Sequence, residues 1–541
     1  MRRYVAVLGG VVCAGVLACA LVGCGQTSVS RVGDETGAIE LAADTDEVAD
    51  GLVYDATAAG AYAGDEIDIV EPLDTEEYAA VDENGFTSVA TNPFSTFSAD
   101  VDTASYCNLR RMIDDGYAVD DIPDGAVRIE EMLNYFKYDY AQPEDGELFG
   151  VTAAVGDCPW NEDTKLLVMG LQTQAGDYAQ GKGNNLVFLI DTSGSMDSPD
   201  KLPLLQESFS YLVDQLDPSD TVSVVTYSGE ERVVLDGVSA QKKGRILRAI
   251  RSLEADGCTN GQAGLAMAYE LAEDHFVEGG NNRIILASDG DLNVGMTSES
   301  ELSDYVAEMR ESGVYLSVLG FGTGNYKDTK METIADDGNG AYYYIDCIEE
   351  AERVFGEDLC ATMVTLAEDV KLQIEFNPAY VKGYRQIGYE NRALATDDFK
   401  DDSVDAGEVG AGHSVTVAYE LVMTDSDLEL TTSTSRYGSA SAGVDNGEWL
   451  TLAVRYKEPG TDEATEREYP LGEEAYSEEP GADWEFASKV IEVGMLAGGS
   501  EYAGELDLAT VSEELDEMEL TDERRVEFAD LVYELAVSSR A

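Results

Sequence analysis

The chain has 541 residues, 44% of them hydrophobic and 26% charged, enough apolar material to bury cores across several domains of ordinary size. Its 108 acidic residues against 34 basic ones leave a formal charge of −74. That balance argues against nucleic acid and against electrostatic docking on anionic lipid, since both demand a basic footprint. Only two histidines are present, His275 and His413, which starves histidine-based catalytic triads and most zinc chemistry.

Taken in chain order, Arg2 and Arg3 open a segment whose residues 4–23 are apolar and which ends Leu21-Val22-Gly23-Cys24. Small residues before a cleavage point mark a secretory signal. A cysteine directly after that point resembles the bacterial lipobox at every position. The resemblance implies a signal peptide over 1–23, lipidation of Cys24, and a mature chain that is extracytoplasmic and anchored to the lipid bilayer through its acylated Cys24. Residues 24–92 are expected to form a disordered acidic tether: positions 25–92 hold 17 acidic residues and one basic residue, Arg31, without sustained apolar periodicity. From residue 29 onward no apolar run is long enough to span a bilayer. The cysteines beyond Cys24 are Cys107, Cys158, Cys258, Cys347 and Cys360, an odd set. A helix expected between Cys347 and Cys360 would hold them ~19 Å apart, beyond disulfide reach of ~7 Å. A Cys107–Cys158 pair stays open.

Residues 93–180 read as an N-terminal flanking region, with helices over 103–115 and 125–137 and strands over 149–158 and 166–173. From 184 to 362 the pattern alternates. Strands are expected at 186–190, 221–227, 283–287, 314–319 and 341–345. Helices are expected at 202–216, 244–253, 261–273, 301–311, 327–335 and 349–362. Such alternation predicts an α/β fold, a doubly wound, mostly parallel sheet with helices on both faces. Residues 365–480 return to strands at 370–376, 413–422 and 449–456, expected to pack with 148–175; residues 390–412 and 457–480 read as polar connections. The last segment, 481–541, is helical, with Phe528, Leu531, Val532 and Leu535 at i, i+3, i+4 and i+7.

Chemistry concentrates at the carboxyl ends of the strands in the alternating region, where open α/β sheets bind ligands. Asp191, Ser193 and Ser195 follow the first buried strand, Thr259 lies just before a helix, and Asp289 follows the strand at 283–287. Two carboxylates and three hydroxyls suit a hard, oxygen-seeking divalent cation, Mg²⁺ first, with Mn²⁺ or Ca²⁺ possible. Such a set leaves a position where a partner's carboxylate can displace a water.

These residues resemble the metal-ion-dependent adhesion site of the von Willebrand factor type A (VWA) domain, with DxSxS at Asp191, Ser193 and Ser195, the threonine at Thr259 and the second aspartate at Asp289. Cys258 stands where a small glycine or serine is expected. Flanking segments, among them Asp100–Tyr106, Pro159-Trp160-Asn161, Gly320–Tyr326 and Gly407–His413, resemble one bacterial subfamily of VWA-containing lipoproteins over roughly 93–540. The resemblance implies a Rossmann-like VWA module over 184–362, and the layout suggests that it is inserted in a β-sandwich-like flanking domain.

The function implied is metal-dependent capture of a protein ligand presenting Asp or Glu, by a cell-envelope lipoprotein that is not an enzyme. The alternative is an envelope assembly or scaffold protein in which the metal is only structural. Asp289-x-Asp291-x-Asn293 imitates the start of an EF-hand loop, but Val294 stands where glycine is needed and Ser300 where glutamate is needed. No general base lies near Asp191 or Ser193 in sequence for nucleophilic hydrolysis.

Overall fold

The computed structural model describes residues 76–176, 182–257, 261–290, 299–310, 312–430, 443–461 and 463–540. The chain divides into Met1–Ile69, which lies outside the described residues together with the lipobox and Cys24, and Val70–Ala541.

Six strands form the central sheet, ordered Tyr342–Ile345, Tyr315–Phe321, Asn281–Ser288, Asn184–Asp191, Thr221–Tyr227 and Arg232–Ser239. The first five run parallel, and Arg232–Ser239 closes one edge antiparallel. Strand alternation feeds two cores. Val187, Leu189, Ile284 and Leu286 pack with Leu265, Ala268, Leu302 and Ile334 from helices on one face. On the other, Leu186, Phe188, Ile190 and Ile285 pack with Leu205, Phe209, Ile246 and Val354. A strand covered on both sides has no polar face to show, so residues 186–190 read as an unbroken apolar run.

This α/β module is inserted in a β-sandwich. One antiparallel sheet orders Thr87–Ser88, Val381–Ile387, Ser414–Met423, Lys165–Thr173 and Phe149–Asp157. The other contains Gly407–Gly410, Thr365–Phe376, Glu448–Lys457 and Ala464–Gly472, with Phe94–Ser98 also pairing on Thr365–Phe376. Leu167, Met169, Val417 and Tyr419 from the first share one core with Leu372, Ile374, Leu452 and Val454 from the second. Each sheet therefore mixes strands from before and after the inserted module, as when a domain is interrupted at a site where its chain ends lie close. Helix Ala482–Ala497 covers the outer face of the first sheet, where the Trp484 indole donates to the Leu166 carbonyl at 3.2 Å.

Several expectations need correction. The tether does not reach residue 92. Thr87 and Ser88 pair with Tyr384 and Gly383, and the Glu77 N–H donates to the Tyr326 carbonyl at 3.0 Å. Residues 457–480 are no simple connection, because Ala464–Gly472 is an edge strand. The helix expected at 349–362 is broken into Ile348–Glu352, a wide turn at Arg353–Glu357, and Leu359–Met363. Within the helical last segment, Leu508–Glu517 forms a separate helix between Ala482–Ala497 and Glu523–Ser538. Cys107 and Cys158 are both free thiols, as are Cys347 and Cys360.

Candidate functional site

Strands Asn184–Asp191 and Asn281–Ser288 lie side by side, in register from Asn184 opposite Asn281 to Ile190 opposite Ala287. Their shared direction brings Asp191 and Asp289 out at the same end of the sheet, and both are fully buried. Directly after the first strand the chain turns back on its own aspartate: the Ser193 N–H donates to Asp191 Oδ1 at 2.8 Å, the local geometry an aspartate favours two residues ahead. The tight turn Gly194–Met196 then swings Ser195 beside Ser193, with 3.0 Å between their hydroxyl oxygens. The Ser195 hydroxyl is close enough to Asp289 to help lower its carboxyl, and the Ser288 hydroxyl donates to Asp191 Oδ2 at 3.3 Å.

Four of the five expected residues, Asp191, Ser193, Ser195 and Asp289, thus meet at one end of the sheet. Thr259 lies outside the described residues, as do Cys258, Asp291 and Asn293. The chain just before Thr259 is tied to this group. Asp256 N–H donates to the Thr192 carbonyl at 2.9 Å, and Gly194 N–H to the Gly257 carbonyl at 3.1 Å.

Electrostatics distinguish the two carboxylates. Burial pushes Asp191 up to about 6, against the opposing hydrogen bonds from Ser193. Burial would raise Asp289 too, but the Lys201 ammonium overrides it and holds that carboxyl below its ordinary value. Lys201 Nζ lies 3.0 Å from Asp289 Oδ2 and 2.7 Å from Asn325 Oδ1, while Asn325 Nδ2 donates to the same Oδ2 at 3.2 Å. The donors facing one another are all oxygens, two of them carboxylate, and a cationic group already stands against one. That chemistry fits a hard divalent cation held by Asp191, Ser193, Ser195 and Asp289.

Sequence reading missed Lys201, and it marked Gly320–Tyr326 as a family-like segment without placing Asn325 at the site. A signal existed: Lys201 is the sole basic residue between Lys182 and Arg232. A second cluster joins Cys107, Asp346 and Glu350, but Arg110 lies against all three, at 3.7, 2.6 and 3.4 Å. The guanidinium holds the place a metal would need, and burial pushes the Cys107 thiol up, away from the thiolate a metal requires.

Fold and site together define a protein built around a von Willebrand factor type A module, and the family model "von Willebrand factor type A domain" matches residues 185–356. Two further models match on either side: "von Willebrand factor" over 72–168 and "Uncharacterized protein YfbK, C-terminal" over 361–537. "Uncharacterized protein YfbK" of Escherichia coli (strain K12) is 41% identical over 436 residues, 79% of this chain and 75% of that one. The chain belongs to the YfbK family. Human "Inter-alpha-trypsin inhibitor heavy chain H4" is 33% identical over 164 residues, 29% of this chain and 17% of that protein. Among solved structures, a von Willebrand factor type A protein from Catenulispora acidiphila is 18% identical at a TM-score of 0.40, covering 75% of this chain and 89% of that one. The VWA domain makes this a protein-interaction module of a class that commonly binds a divalent metal.

Proposed function

We propose that the protein is a cell-envelope lipoprotein that captures an acidic side chain of a partner protein through a divalent cation, Mg²⁺ before Mn²⁺ or Ca²⁺. In this reading Asp191, Ser193, Ser195, Thr259 and Asp289 hold the cation, and Cys24 carries the lipid that anchors the chain outside the cytoplasmic membrane. The activity is coordination rather than turnover. The observation that carries the reading is the meeting of two fully buried carboxylates with two serine hydroxyls at the ends of adjacent parallel strands. Two carboxylates balance most of a divalent charge, and neutral hydroxyls add lone pairs without further repulsion. The chain's own groups orient the carboxylates: Ser193 N–H and Ser288 Oγ hold Asp191, while Asn325 Nδ2 donates to Asp289.

The test is calorimetric titration of the full chain with Mg²⁺, Mn²⁺ and Ca²⁺ beside its Asp191→Ala variant, with circular dichroism to confirm folding. Binding that the variant abolishes supports the reading, and equal binding by a folded variant sinks it. Membrane fractionation of a Cys24→Ser variant tests the anchor, which is expected to be lost.

The scaffold alternative draws on a different observation. Helix Asp328–Asp337 presents Asp328, Glu332 and Asp336 along one face, and Arg128 and Arg392 of the flanking regions pair with them. The module is therefore locked into its frame by buried ions. Partner capture that persists in chelator would favour this alternative.

A further inference from the structure

We infer that Lys201 is a built-in competitor for the cation at this site, an ammonium that must leave Asp289 before a divalent metal can take that oxygen. The inference rests on the metal reading above and assigns a role to a residue outside the ligand set.

Lys201 is not a surface lysine that happens to reach an acid. It is 6% exposed, and its Nζ is held at two points, 3.0 Å from Asp289 Oδ2 and 2.7 Å from Asn325 Oδ1. Asn325 closes the triangle by donating to the same Oδ2 at 3.2 Å, so the hydrogen-bonding capacity of that oxygen is already used. The backbone opposite is shaped to admit the lysine stem. Gly322 adopts a φ of +77°, which side-chain-bearing residues rarely take, and a Cβ there would sit 2.2 Å from Lys201 Cγ and 2.5 Å from its Cε. Glycine is required at that point on two counts, conformation and space.

The chemistry follows from charge. A divalent cation using Asp289 meets a fixed positive charge a few ångströms away in a buried setting, where screening by water is weak. It must also replace the ammonium as the partner of Oδ2. Both effects weaken metal binding relative to the same oxygens without the lysine, and both make occupancy a threshold matter: the site fills only where divalent cation is abundant. A lysine that merely aims Asp289 would act the opposite way, since its loss would disorder a ligand and weaken the metal.

The experiment compares Kd for Mg²⁺ and Mn²⁺ by calorimetry in the full chain, Lys201→Met and Lys201→Gln, with Asp191→Ala as the reference that lacks a ligand. Methionine keeps the apolar stem, and glutamine keeps a hydrogen-bond donor; neither carries the charge. Binding about tenfold tighter or more in both folded variants is expected. Binding unchanged or weaker in the variants, with the wild type still binding, overturns the competitor role and leaves the metal reading intact. Binding in the variants alone supports both. No binding in any chain overturns the metal reading, and this inference with it.

Discussion

One oxygen of the Glu76 carboxylate accepts the Gly324 N–H at 2.8 Å, and the other accepts from Arg111 at 2.9 Å. Gly324 immediately precedes Asn325, which donates to Asp289. A residue placed in the tether by composition therefore sets a loop that touches the candidate metal site. Glu76→Ala would leave the nearly buried Arg111 guanidinium short of a counter-ion, a change that costs about 3 kcal/mol in a buried pair. A urea midpoint indistinguishable from wild type would show that Glu76 does not hold this loop.

Asp191 gives a prediction with an unusual sign. Its folded-state value, about 6, lies above the ordinary 3.8, so the stability it contributes is present below 3.8 and lost as pH rises through 6. At pH 7 in chelator, Asp191→Asn should therefore raise stability by about 2–3 kcal/mol. Denaturant titration in EDTA checks this, and a lower midpoint for the variant would contradict it.

Acid should act in the other direction through two groups beside the sandwich. Burial, helped by Lys137, lowers His413 from 6.5 to about 3, so the folded protein keeps it neutral while the unfolded chain protonates first. Stability is lost as pH falls from 6.5 towards 3. Burial would raise Asp358, but Lys137 and Arg353 outweigh it and take the carboxyl to about 2, so its contribution holds above 3.8 and disappears as pH falls through 2. A His413→Gln variant should lose about 2 kcal/mol less than wild type between pH 7 and pH 5. Parallel pH profiles of the two proteins would exclude this role.

Arg392 is the largest single liability in the frame. It pairs with Asp100 at 3.3 Å, Asp102 at 3.2 Å and Glu332 at 3.1 Å, and also with Asp336. Arg392→Met takes the shared cation from four carboxylates at the junction between the flanking regions and helix Asp328–Asp337, leaving the buried Asp100 and Asp102 without it while Glu332 keeps Arg128. A loss of about 3–5 kcal/mol is expected, read from the denaturation midpoint. Metal affinity measured on the same variant separates frame stability from site geometry.

The amino-acid sequence determined the α/β module and most of its candidate site, because both are written in local pattern. The apolar run at 186–190 marks a doubly covered strand, and Asp191-x-Ser193-x-Ser195 behind it folds on itself through a two-residue hydrogen bond. Tertiary structure alone decided the rest. Ala464–Gly472 is an edge strand with mostly half-exposed residues, so it shows no apolar alternation, and only its partner Glu448–Lys457 makes it a strand. Glu76, Lys201 and Arg392 find their partners across 248, 88 and 56 to 292 positions of chain. Among 108 acidic residues no charge pattern says which carboxylate a given base will meet. Coulombic pairing depends on distance in space, and that distance exists only once the chain has folded.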